Sequence, residues 1–417
     1  MDSDVLVLGA GAAGIAAARS LAAAGVRSIV LEARSRVGGR VHTDASFASF
    51  PIERGAEFVS GKRAASVPHL QQLGLELVPV RLFSALYYAD GSRLRSPLWL
   101  ASRPSTWRFV HILSRIVAYR GPDLSLEQFV ADRTDAPLVR SLIGMASNSV
   151  CSTPGEVSVH DLRESLSDPT VRGGDSRVAA GYARLIEGMA QGVDVRFGTV
   201  VTRIRWGVKG VRVETSAGDF SAPRAVITVP LGVLKAGSIA FEPALPPEKQ
   251  HAIDALHMQP GMKVLLGFRE RFWPKDLGFL LCGESVPVFW TPRVGEPVLT
   301  AFVMGPRAAR LAAGGSEAAI DRCLTALDSV FGGEARRKLV RGDVADWTSD
   351  PFTMGGYSSV PVGKRDQPAL LTRPVGAMHF AGEAAVLAGG TGLVGAAITS
   401  GERAASEIIA AGMLQST

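Results

Sequence analysis

The stretch DVLVLGAGAAG, residues Asp4–Gly14, joins a short apolar strand directly to a glycine-rich turn. Its glycines, Gly9, Gly11 and Gly14, have the spacing G-x-G-x-x-G. In that pattern the first glycine allows a tight turn and the second lets the backbone approach a diphosphate. The third lets the following helix pack closely against the strand. The stretch therefore predicts a strand–turn–helix unit that binds a dinucleotide.

The residues that follow complete the pattern. The alanine-rich segment Ala12–Ala24 predicts a helix that ends at Gly25, and Ser28–Leu31 predicts a second buried strand. Glu32 ends that strand 18 positions after Gly14, where a carboxylate accepts hydrogen bonds from a ribose. A glycine-rich turn without a ligand would leave the position of Glu32 unexplained. The order of these elements favours a Rossmann-like domain of class α/β with a bound dinucleotide.

Composition limits the function classes. The chain has 417 residues, 47% of them hydrophobic and 20% charged, which favours a globular protein of two domains. Its net charge of +6 comes from basic residues that look scattered and lack interleaved aromatic side chains, which disfavours nucleic-acid binding. We interpret the basic run Arg336–Arg341 as the solvated end of a helix.

Cysteine usage and hydropathy bear on location and partners. Cys151, Cys282 and Cys323 are far apart and lack metal-ligand spacing, so we expect buried thiols, a reducing compartment and no metal site. The first predicted strand leaves no room for a signal peptide, and no apolar run is long enough to span a bilayer. We expect a cytoplasmic protein with a small-molecule substrate and no nucleic-acid or membrane partner; a homodimer is one expected assembly.

The segment EARSRVGGRVHT, residues Glu32–Thr43, adds Gly38, Gly39 and Arg40 close behind the acidic residue. Two glycines let a second loop approach the diphosphate, and an arginine can neutralise it. With this extension the N-terminal region resembles the flavin-containing amine oxidase family of monoamine and polyamine oxidase-like oxidoreductases. Carotenoid desaturases and protoporphyrinogen oxidase share the pattern, so it does not select a reaction. The resemblance implies FAD as the cofactor.

Five further segments resemble motifs of that family, in the family's order and over nearly the whole chain. They are ERGAEFVSG at Glu53–Gly61, FGTVVTRI at Phe197–Ile204, AVITVPLGVL at Ala225–Leu234, DWTSDPFTMGGYS at Asp346–Ser358 and the closing motif at His379–Ile408. The resemblance implies that Phe197–Ile204 is a strand with Val201 at the adenine, and that a helix begins near Leu393 and Val394 at the flavin ring. The implied FAD-binding residues are Gly9, Gly11, Ala12, Ala13, Gly14, Glu32, Ala33, Arg34, Gly38, Gly39, Arg40, Gly55, Ala56, Glu57, Val201, Trp347, Gly382, Glu383, Gly392, Leu393 and Val394.

The order of the motifs implies the domain organisation. A discontinuous Rossmann-like FAD-binding domain of class α/β comprises residues 1–78, 180–238 and 350–417. Residues 79–179 and 239–349 form an α+β substrate-binding domain of mixed sheet and helices, and the substrate would bind between the domains. Hydrophobic patterns in the second domain predict helices at Trp107–Arg120, Pro137–Ser147 and Ala318–Phe331, and strands at Lys263–Phe268 and Val298–Val303.

PGMKVLLGF, residues Pro260–Phe268, places Lys263 inside an apolar strand. A lysine is almost never fully buried without compensation, so this stretch alone favours a strand-edge lysine that reaches solvent. The resemblance implies instead that Lys263 hydrogen-bonds a water next to flavin N5. Tyr357 corresponds to one wall of the family's aromatic cage, whereas Leu393 takes the opposite wall, which disfavours a simple arylalkylamine substrate.

Two further positions bear on the cofactor and the substrate. Gly356 occupies the position at which some members bind flavin through a cysteine, so we expect noncovalent FAD. Glu57 replaces the arginine with which amino-acid oxidases bind a substrate carboxylate, which favours a cationic or hydrogen-bond-donating substrate. A solvated loop acid is an equal alternative for Glu57. The predicted catalytic residues are Lys263, Tyr357 and Glu57, and the expected pocket walls are Tyr87, Tyr88, Trp290 and Arg307.

The expected function is that of an FAD-dependent amine oxidase acting on CH–NH₂ groups. A C–H next to nitrogen would be lost as hydride to flavin N5 to give an imine, and oxygen would reoxidise the flavin with formation of hydrogen peroxide. Three alternatives stay open. They are a tailoring oxidase of secondary metabolism acting on an amine or N-acyl amine of a bulky intermediate, a C–C desaturase of the same superfamily, and a flavin-binding protein without turnover.

Overall fold

A computed structural model of the chain describes residues 2–131, 136–171, 173–387 and 390–415; Ala388 and Gly389 of the closing motif lie outside the described residues. The N-terminal unit has the predicted order. Strands Val5–Leu8 and Ser28–Leu31 are parallel neighbours, and helix Ala12–Ala23 connects them. Gly25 has a φ of +75°, the left-handed conformation expected after a helix.

Five parallel strands form the sheet that carries the glycine turn. Alternate residues of its strands face two different cores: Val5 and Val7 pack with the first and last helices, and Leu6 and Leu8 pack on the opposite face. Burial on both faces explains why these strands are apolar throughout rather than alternating. The strand order is Asp194–Arg196, Ser28–Leu31, Val5–Leu8, Arg224–Ile227 and Met378–Phe380, and the helix packed against the first helix is Val394–Gln415.

A second, four-stranded sheet covers the opposite face. The prediction of a strand at Phe197–Ile204 is wrong for its first half, because Gly198 has a φ of +64° and turns the chain, and the strand begins only at Val201. Phe197 is accordingly 48% exposed. The strand order of this sheet is Gly218–Ala222, Gly210–Thr215, Val201–Gly207 and Ala240–Glu242.

The third layer is a mixed seven-stranded sheet that positions Lys263. The predicted helices and strands of this region are confirmed with small shifts of their ends, as Pro104–Ala118, Pro137–Ser149, Gly315–Phe331, Gly261–Phe268 and Val298–Met304. The basic run Arg336–Arg341 ends a helix only as far as Lys338, since a strand begins at the next residue. The strand order is Leu339–Asp346, Gly261–Phe268, Val298–Met304, Val288–Trp290, Phe279–Leu281, Leu86–Asp90 and Arg93–Arg95.

The remaining elements are short. The boundaries of the two domains stay a prediction. None of the described helices has the length and hydropathy needed to cross a membrane. The remaining helices are Ser66–Gln72, Phe83–Ala85 (a 3₁₀ turn), Pro97–Ala101, Leu126–Val130, Val159–Ser167, Ala183–Met189, Leu231–Lys235, Pro247–Ala255, Pro306–Ala312, Glu334–Lys338 and Gln367–Thr372. The remaining strand pairs are Thr43–Asp44 with Ile52–Glu53, His257–Met258 with Ser358–Ser359, and Asp175–Val178 with both Val59–Ser60 and Leu77–Pro79.

Two lysines cap the ends of neighbouring helices. Nζ of Lys249, a residue only 2% exposed, donates to three backbone carbonyls at the end of helix Gln367–Thr372, at 2.6, 2.7 and 3.2 Å. Nζ of Lys235 makes the same kind of cap at the end of helix Pro247–Ala255, at 2.8, 2.9 and 3.2 Å, but this lysine is exposed. Because each lysine makes three hydrogen bonds, comparing Lys249 with Lys235 separates the effect of burial on stability from the effect of hydrogen-bond number.

Lys249→Met should lower the free energy of unfolding by about 3 kcal/mol, because buried carbonyls lose their donor. Lys235→Met removes as many hydrogen bonds at a position where water replaces them, and should cost less than about 1 kcal/mol. Chemical denaturation of both variants beside the wild type measures the two losses. Equal losses would contradict burial as the cause.

Candidate active site

A continuous cavity of about 650 Å³ reaches from the glycine turn to the strand that carries Lys263. Every predicted FAD-binding residue except Gly14 lines this cavity, and so do Lys263 and Tyr357. Residues from the two ends of the sequence and from its middle therefore meet at one continuous space.

The glycine turn is shaped by contacts that a side chain would break. A Cβ on Gly14 would lie 1.9 Å from the carbonyl oxygen of Gly9, so the helix packs directly on the turn. A Cβ on Gly11 would meet no described heavy atom within 4 Å. No described side chain caps helix Ala12–Ala23, so its first N–H groups can bind an anion in the cavity.

Glu32 and Arg36 fix the edge of the cavity. The buried carboxylate of Glu32 accepts hydrogen bonds from the backbone N–H groups of Ala10 at 2.7 Å and Arg34 at 2.8 Å. Arg36, which sequence reasoning missed, donates to the carbonyl of Gly39 at 2.8 Å and so holds the second glycine loop. Burial, reinforced by the neighbouring Arg34 charge, lowers the pKa of Arg36 to about 10.

Arg40 lines the cavity and forms an ion pair with Glu383, and its predicted role at the diphosphate stays a prediction. Its Nη1 donates to Glu383 Oε1 at 2.8 Å and to the carbonyl of Gly356 at 3.0 Å. Glu383 Oε2 in turn accepts from the Ser358 hydroxyl at 2.5 Å and from the Gly392 N–H at 2.9 Å. The Arg40–Glu383 ion pair therefore connects the second glycine loop to the closing motif.

Lys263 is buried in the interior of its sheet, with a side chain only 5% exposed. The expectation of a strand-edge lysine that reaches solvent is wrong, because its strand pairs with a neighbour on each side. Its Nζ donates to Glu57 Oε2 at 2.7 Å and to the carbonyl of Glu53 at 3.0 Å. The acidic partner lies 206 positions away in sequence, so no local pattern could have identified it.

Glu57 is 4% exposed and fully engaged, so its interpretation as a solvated loop acid is wrong. Its Oε1 accepts from Arg177 Nε at 2.7 Å, and its Oε2 also accepts from the indole N–H of Trp290 at 3.0 Å. Burial alone would raise the pKa of Glu57, but the charges of Lys263 and Arg177 outweigh it and hold that pKa below its ordinary value. Arg177 carried no sequence signal of this role.

Glu53 lies beside the Lys263–Glu57 ion pair, but its carboxyl group is bound by other residues. Its carboxyl accepts from the Tyr182 N–H at 2.7 Å and from the Thr43 hydroxyl at 2.9 Å. Burial is the main cause that raises the pKa of Glu53 to about 7, against the lowering effect of Tyr182 and Lys263. A second carboxyl near Lys263 can therefore be neutral near pH 7.

Tyr357 faces the cavity with its ring held in place. Its hydroxyl donates to the carbonyl of Ser149 at 2.6 Å, and a Cβ on Gly392 would lie 2.6 Å from the ring. A Cβ on Gly356 would lie 2.4 Å from Met304 Cε, so a side chain before Tyr357 would require the flexible end of Met304 to move. Leu393 also lines the cavity, as its place on the other wall requires.

The expected pocket walls are correct only for Trp290, since Tyr87, Tyr88 and Arg307 are not among the described residues that line the cavity. Both tyrosines belong to a strand that is covered on its two faces by different cores. The hydroxyl of Tyr87 donates to Asp276 at 2.8 Å, away from the cavity. Adjacent strand residues point to opposite faces, so two consecutive tyrosines cannot line the same wall.

The cavity also has acidic groups in its lining that sequence reasoning missed. Asp161 and Asp175 line it, and among the described residues no cationic side chain pairs with Asp161. Burial, then the nearby charges of Glu164 and Asp123, raise the pKa of Asp161 to about 7. Burial likewise raises the pKa of Asp175. This region can bind a cation through a carboxylate that has no described partner of its own.

Comparison with known proteins identifies relatives of the chain. Residues 12–119 and 113–409 match the family model described as flavin containing amine oxidoreductase. The chain is 34% identical to polyamine oxidase 2 of Arabidopsis thaliana, over 91% of this chain and 83% of that protein. It is 32% identical to lysine-specific histone demethylase 1 homolog 2 of the same plant, over 98% of this chain and 58% of that protein. The fold matches putrescine oxidase bound to putrescine with a TM-score of 0.82 at 24% identity, over 98% and 99% of the two chains, which confirms the predicted fold class.

Two glycine substitutions separate packing from ligand approach at the turn. Gly14→Ala should lower the unfolding free energy of the flavin-free protein by about 2 kcal/mol, because its methyl overlaps a backbone oxygen. Gly11→Ala should leave that stability near the wild-type value and weaken flavin binding, since its methyl enters the cavity. Thermal unfolding of flavin-free protein and titration with FAD measure the two effects. A Gly11→Ala protein with unchanged affinity for FAD would contradict this account of the turn.

Proposed function

The chain belongs to the flavin-containing amine oxidoreductase family, and we propose that it is an FAD-dependent oxidase of small amines with molecular oxygen as the electron acceptor. The observation that carries this proposal is the continuous cavity between the glycine turn and the buried Lys263–Glu57 pair. FAD, when bound, would supply the redox chemistry, which is hydride acceptance from a C–H next to nitrogen and transfer of the electrons to oxygen to form hydrogen peroxide. The protein's own residues bind, orient and exclude water.

The residues present fit FAD. The open space at Gly11 and the uncapped helix beside it suit a diphosphate, and the fixed carboxylate of Glu32 suits a ribose. The cavity then continues to Lys263, which leaves room for a second ring system beyond the diphosphate. The residues that would hold the adenosine half are Gly9, Glu32, Ala33, Arg34 and Val201, and those that would hold the flavin half are Gly55, Ala56, Trp347, Gly382, Glu383, Gly392, Leu393 and Val394.

We propose that FAD is bound noncovalently. Gly356 offers no nucleophile at the position where some family members bind flavin through a cysteine. Cys151 is buried, and burial raises the pKa of its thiol to about 12, so it is not a reactive substitute. Acid precipitation of the yellow protein should therefore release all of its flavin, and a yellow pellet would contradict this expectation.

Lys263 acts here as a fixed cationic donor beside the cofactor. An ammonium has three N–H donors, and two of them are taken by Glu57 and by the carbonyl of Glu53. The third is available to a group in the cavity, which Lys263 lines. Glu57 and Arg177 position Lys263 rather than the substrate, because both oxygens of Glu57 are occupied within the protein.

Lys263→Met should retain FAD and slow flavin reduction or reoxidation roughly a hundredfold, because a preorganised charged donor is lost next to the reacting ring. Rapid mixing of the variant with amine, and of the reduced variant with oxygen, measures the two half-reactions separately. Arg177→Gln changes a cation that touches Glu57 but does not line the cavity, so it should slow both half-reactions much less than Lys263→Met does. Wild-type rates in both half-reactions of Lys263→Met would remove Lys263 from the mechanism.

Glu57→Gln should lower the unfolding free energy of the flavin-free protein by about 3 kcal/mol at neutral pH, because two buried cations lose their counter-charge. The folded-state pKa of Glu57 is held below the ordinary 4.5, so this contribution is present above pH 4.5 and is lost as pH falls further. Glu53 is common to both proteins, but the charge of Glu57 helps to raise its pKa, so its titration moves to lower pH in Glu57→Gln and contributes to the measured difference. Denaturation measured across pH would contradict the account if the difference did not shrink in acid.

The carboxyl groups of Asp161 and Asp175 in the cavity lining support an amine that carries a second cationic group. One nitrogen would lie between Tyr357 and Leu393, and a distal ammonium would pair with Asp161 or Asp175. The names of the relatives agree with this choice, since polyamines and putrescine contain more than one amine. A carotenoid or porphyrinogen offers no such cation, so the same carboxylates disfavour the desaturase alternative.

Oxygen consumption and peroxide formation with a panel of amines test the proposed function. We expect turnover with aliphatic diamines and polyamines, with one peroxide formed for each oxygen consumed. Asp161→Asn should raise KM about tenfold for a diamine and leave KM for a monoamine of equal length unchanged, because a buried charge-assisted contact is lost. Turnover only with bulky N-acyl amines would favour a tailoring oxidase instead.

A further inference from the structure

The positive charge of the chain is concentrated in one segment. Residues 81–120 contain seven arginines and one aspartate, a formal charge of +6 that equals the net charge of the entire chain. The other residues of the chain therefore carry no net charge. The basic residues look scattered along the sequence, but the net positive charge comes from this one segment. The segment folds as the 3₁₀ turn Phe83–Ala85, two strands, and the helices Pro97–Ala101 and Pro104–Ala118.

The same segment exposes large apolar side chains. Phe83 is 77% exposed, Leu98 is 83% exposed and Trp107 is 62% exposed. They stand on three elements that contact one another in order, from the 3₁₀ turn to the second helix. The indole N–H of Trp107 donates to the carbonyl of Ala101 at 2.9 Å, which fixes the ring across the joint between the two helices. These side chains therefore belong to one connected region of the surface.

Helix Pro104–Ala118 extends this region along its outer side. Val110 is 43% exposed and Val117 is 37% exposed, and they follow Trp107 by three and ten positions, which is one face of a helix. The opposite side of the helix is buried through Phe109 and Ile112. We call the exposed side chains of Phe83, Leu98, Trp107, Val110 and Val117, with the arginines of residues 81–120, the arginine–tryptophan face.

Most of these arginines are not neutralised by a neighbour. Arg95 pairs with Asp90 at 2.8 Å. Among the described residues, no carboxylate lies within ion-pair distance of five others, which are Arg81, Arg93, Arg103, Arg115 and Arg120. Arg103 instead stacks on the Trp99 ring, with 4.4 Å between its guanidinium carbon and the ring centroid. The segment therefore combines a net positive charge with exposed aromatic and aliphatic groups.

We propose that the arginine–tryptophan face binds the surface of a membrane that contains anionic lipids. An interfacial segment of this kind places tryptophan and leucine at the depth of the headgroups while arginines pair with lipid phosphates. A symmetric contact with a second copy would place the same arginines opposite one another, which is unfavourable. The expectation of no membrane partner rested on the lack of a spanning run, and binding to the surface requires no such run.

The face is separate from the active site. Phe83, Leu98 and Trp107 are not among the described residues that line the cavity. Substitutions on this face should therefore leave amine oxidation unchanged, and activity then serves as a check on folding. Val208, 95% exposed, Val340, 67% exposed, and Val294, 63% exposed, are apolar positions of comparable exposure outside the segment and provide a matched control.

Cosedimentation of the flavin-loaded protein with phosphatidylcholine vesicles, with and without phosphatidylglycerol, tests the proposal. We expect binding only to the vesicles that contain phosphatidylglycerol, weakened by added salt. The combined variant Phe83→Ser, Leu98→Ser, Trp107→Ser should lose most of it, and the control Val208→Ser, Val294→Ser, Val340→Ser should retain it. Each of Arg81→Gln, Arg93→Gln and Arg115→Gln should weaken partitioning roughly fivefold.

Three results would overturn the proposal. The first is no cosedimentation with either vesicle. The second is equal binding by the face variant and the control variant, because the net charge of the chain would then suffice. The third is a dimer in sedimentation velocity that the face variant dissociates without any vesicle binding, because the face would then contact a second copy. If the face bound an acidic protein instead of a membrane, the outcome would be the first of these results, no cosedimentation.

Discussion

A charged amine in a water-excluded sheet needs a counter-charge, and the Lys263–Glu57 ion pair meets this requirement. Leaving one member of such a pair unmatched costs several kcal/mol, so the surrounding chain must bring the two together. The loop that carries Glu57 reaches Lys263 only because Gly55 passes Arg40 closely; a Cβ on Gly55 would lie 1.8 Å from the Arg40 carbonyl oxygen. The glycine loops thus serve the ion pair as well as the cofactor.

The same pair connects segments that are remote in sequence. Arg177 approaches Glu57 from one side, and Trp290 approaches it from the seven-stranded sheet. The two cations and one carboxylate leave one positive charge beside the cavity, which would stabilise a bound group that gains negative charge there. The cavity is also lined by Asp161, for which the described residues provide no cationic partner. The same cavity therefore contains a fixed ion pair and a carboxyl group with no described cationic partner.

Local sequence patterns correctly predicted the elements that depend only on residues close to one another in sequence. The glycine turn, its helix and strand Ser28–Leu31 depend on spacing and propensity within a few residues, and they were predicted to within one residue. The turn at Gly198 was missed because its flanking valines and threonines suit a strand as well as a turn. The pairing of Glu57 with Lys263 depends on the packing of separate segments, so no spacing could reveal it. For the same reason the sequence indicated that Lys263 needed compensation but not which residue supplied it.

Anaerobic rapid mixing of the flavin-loaded protein with an aliphatic diamine, followed by flavin absorption, tests the central claim most directly. The account predicts loss of the oxidised-flavin absorption at a rate that saturates with diamine concentration, followed by recovery of the yellow colour when oxygen is admitted. A flavin that dithionite reduces but that stays oxidised with every amine would contradict it.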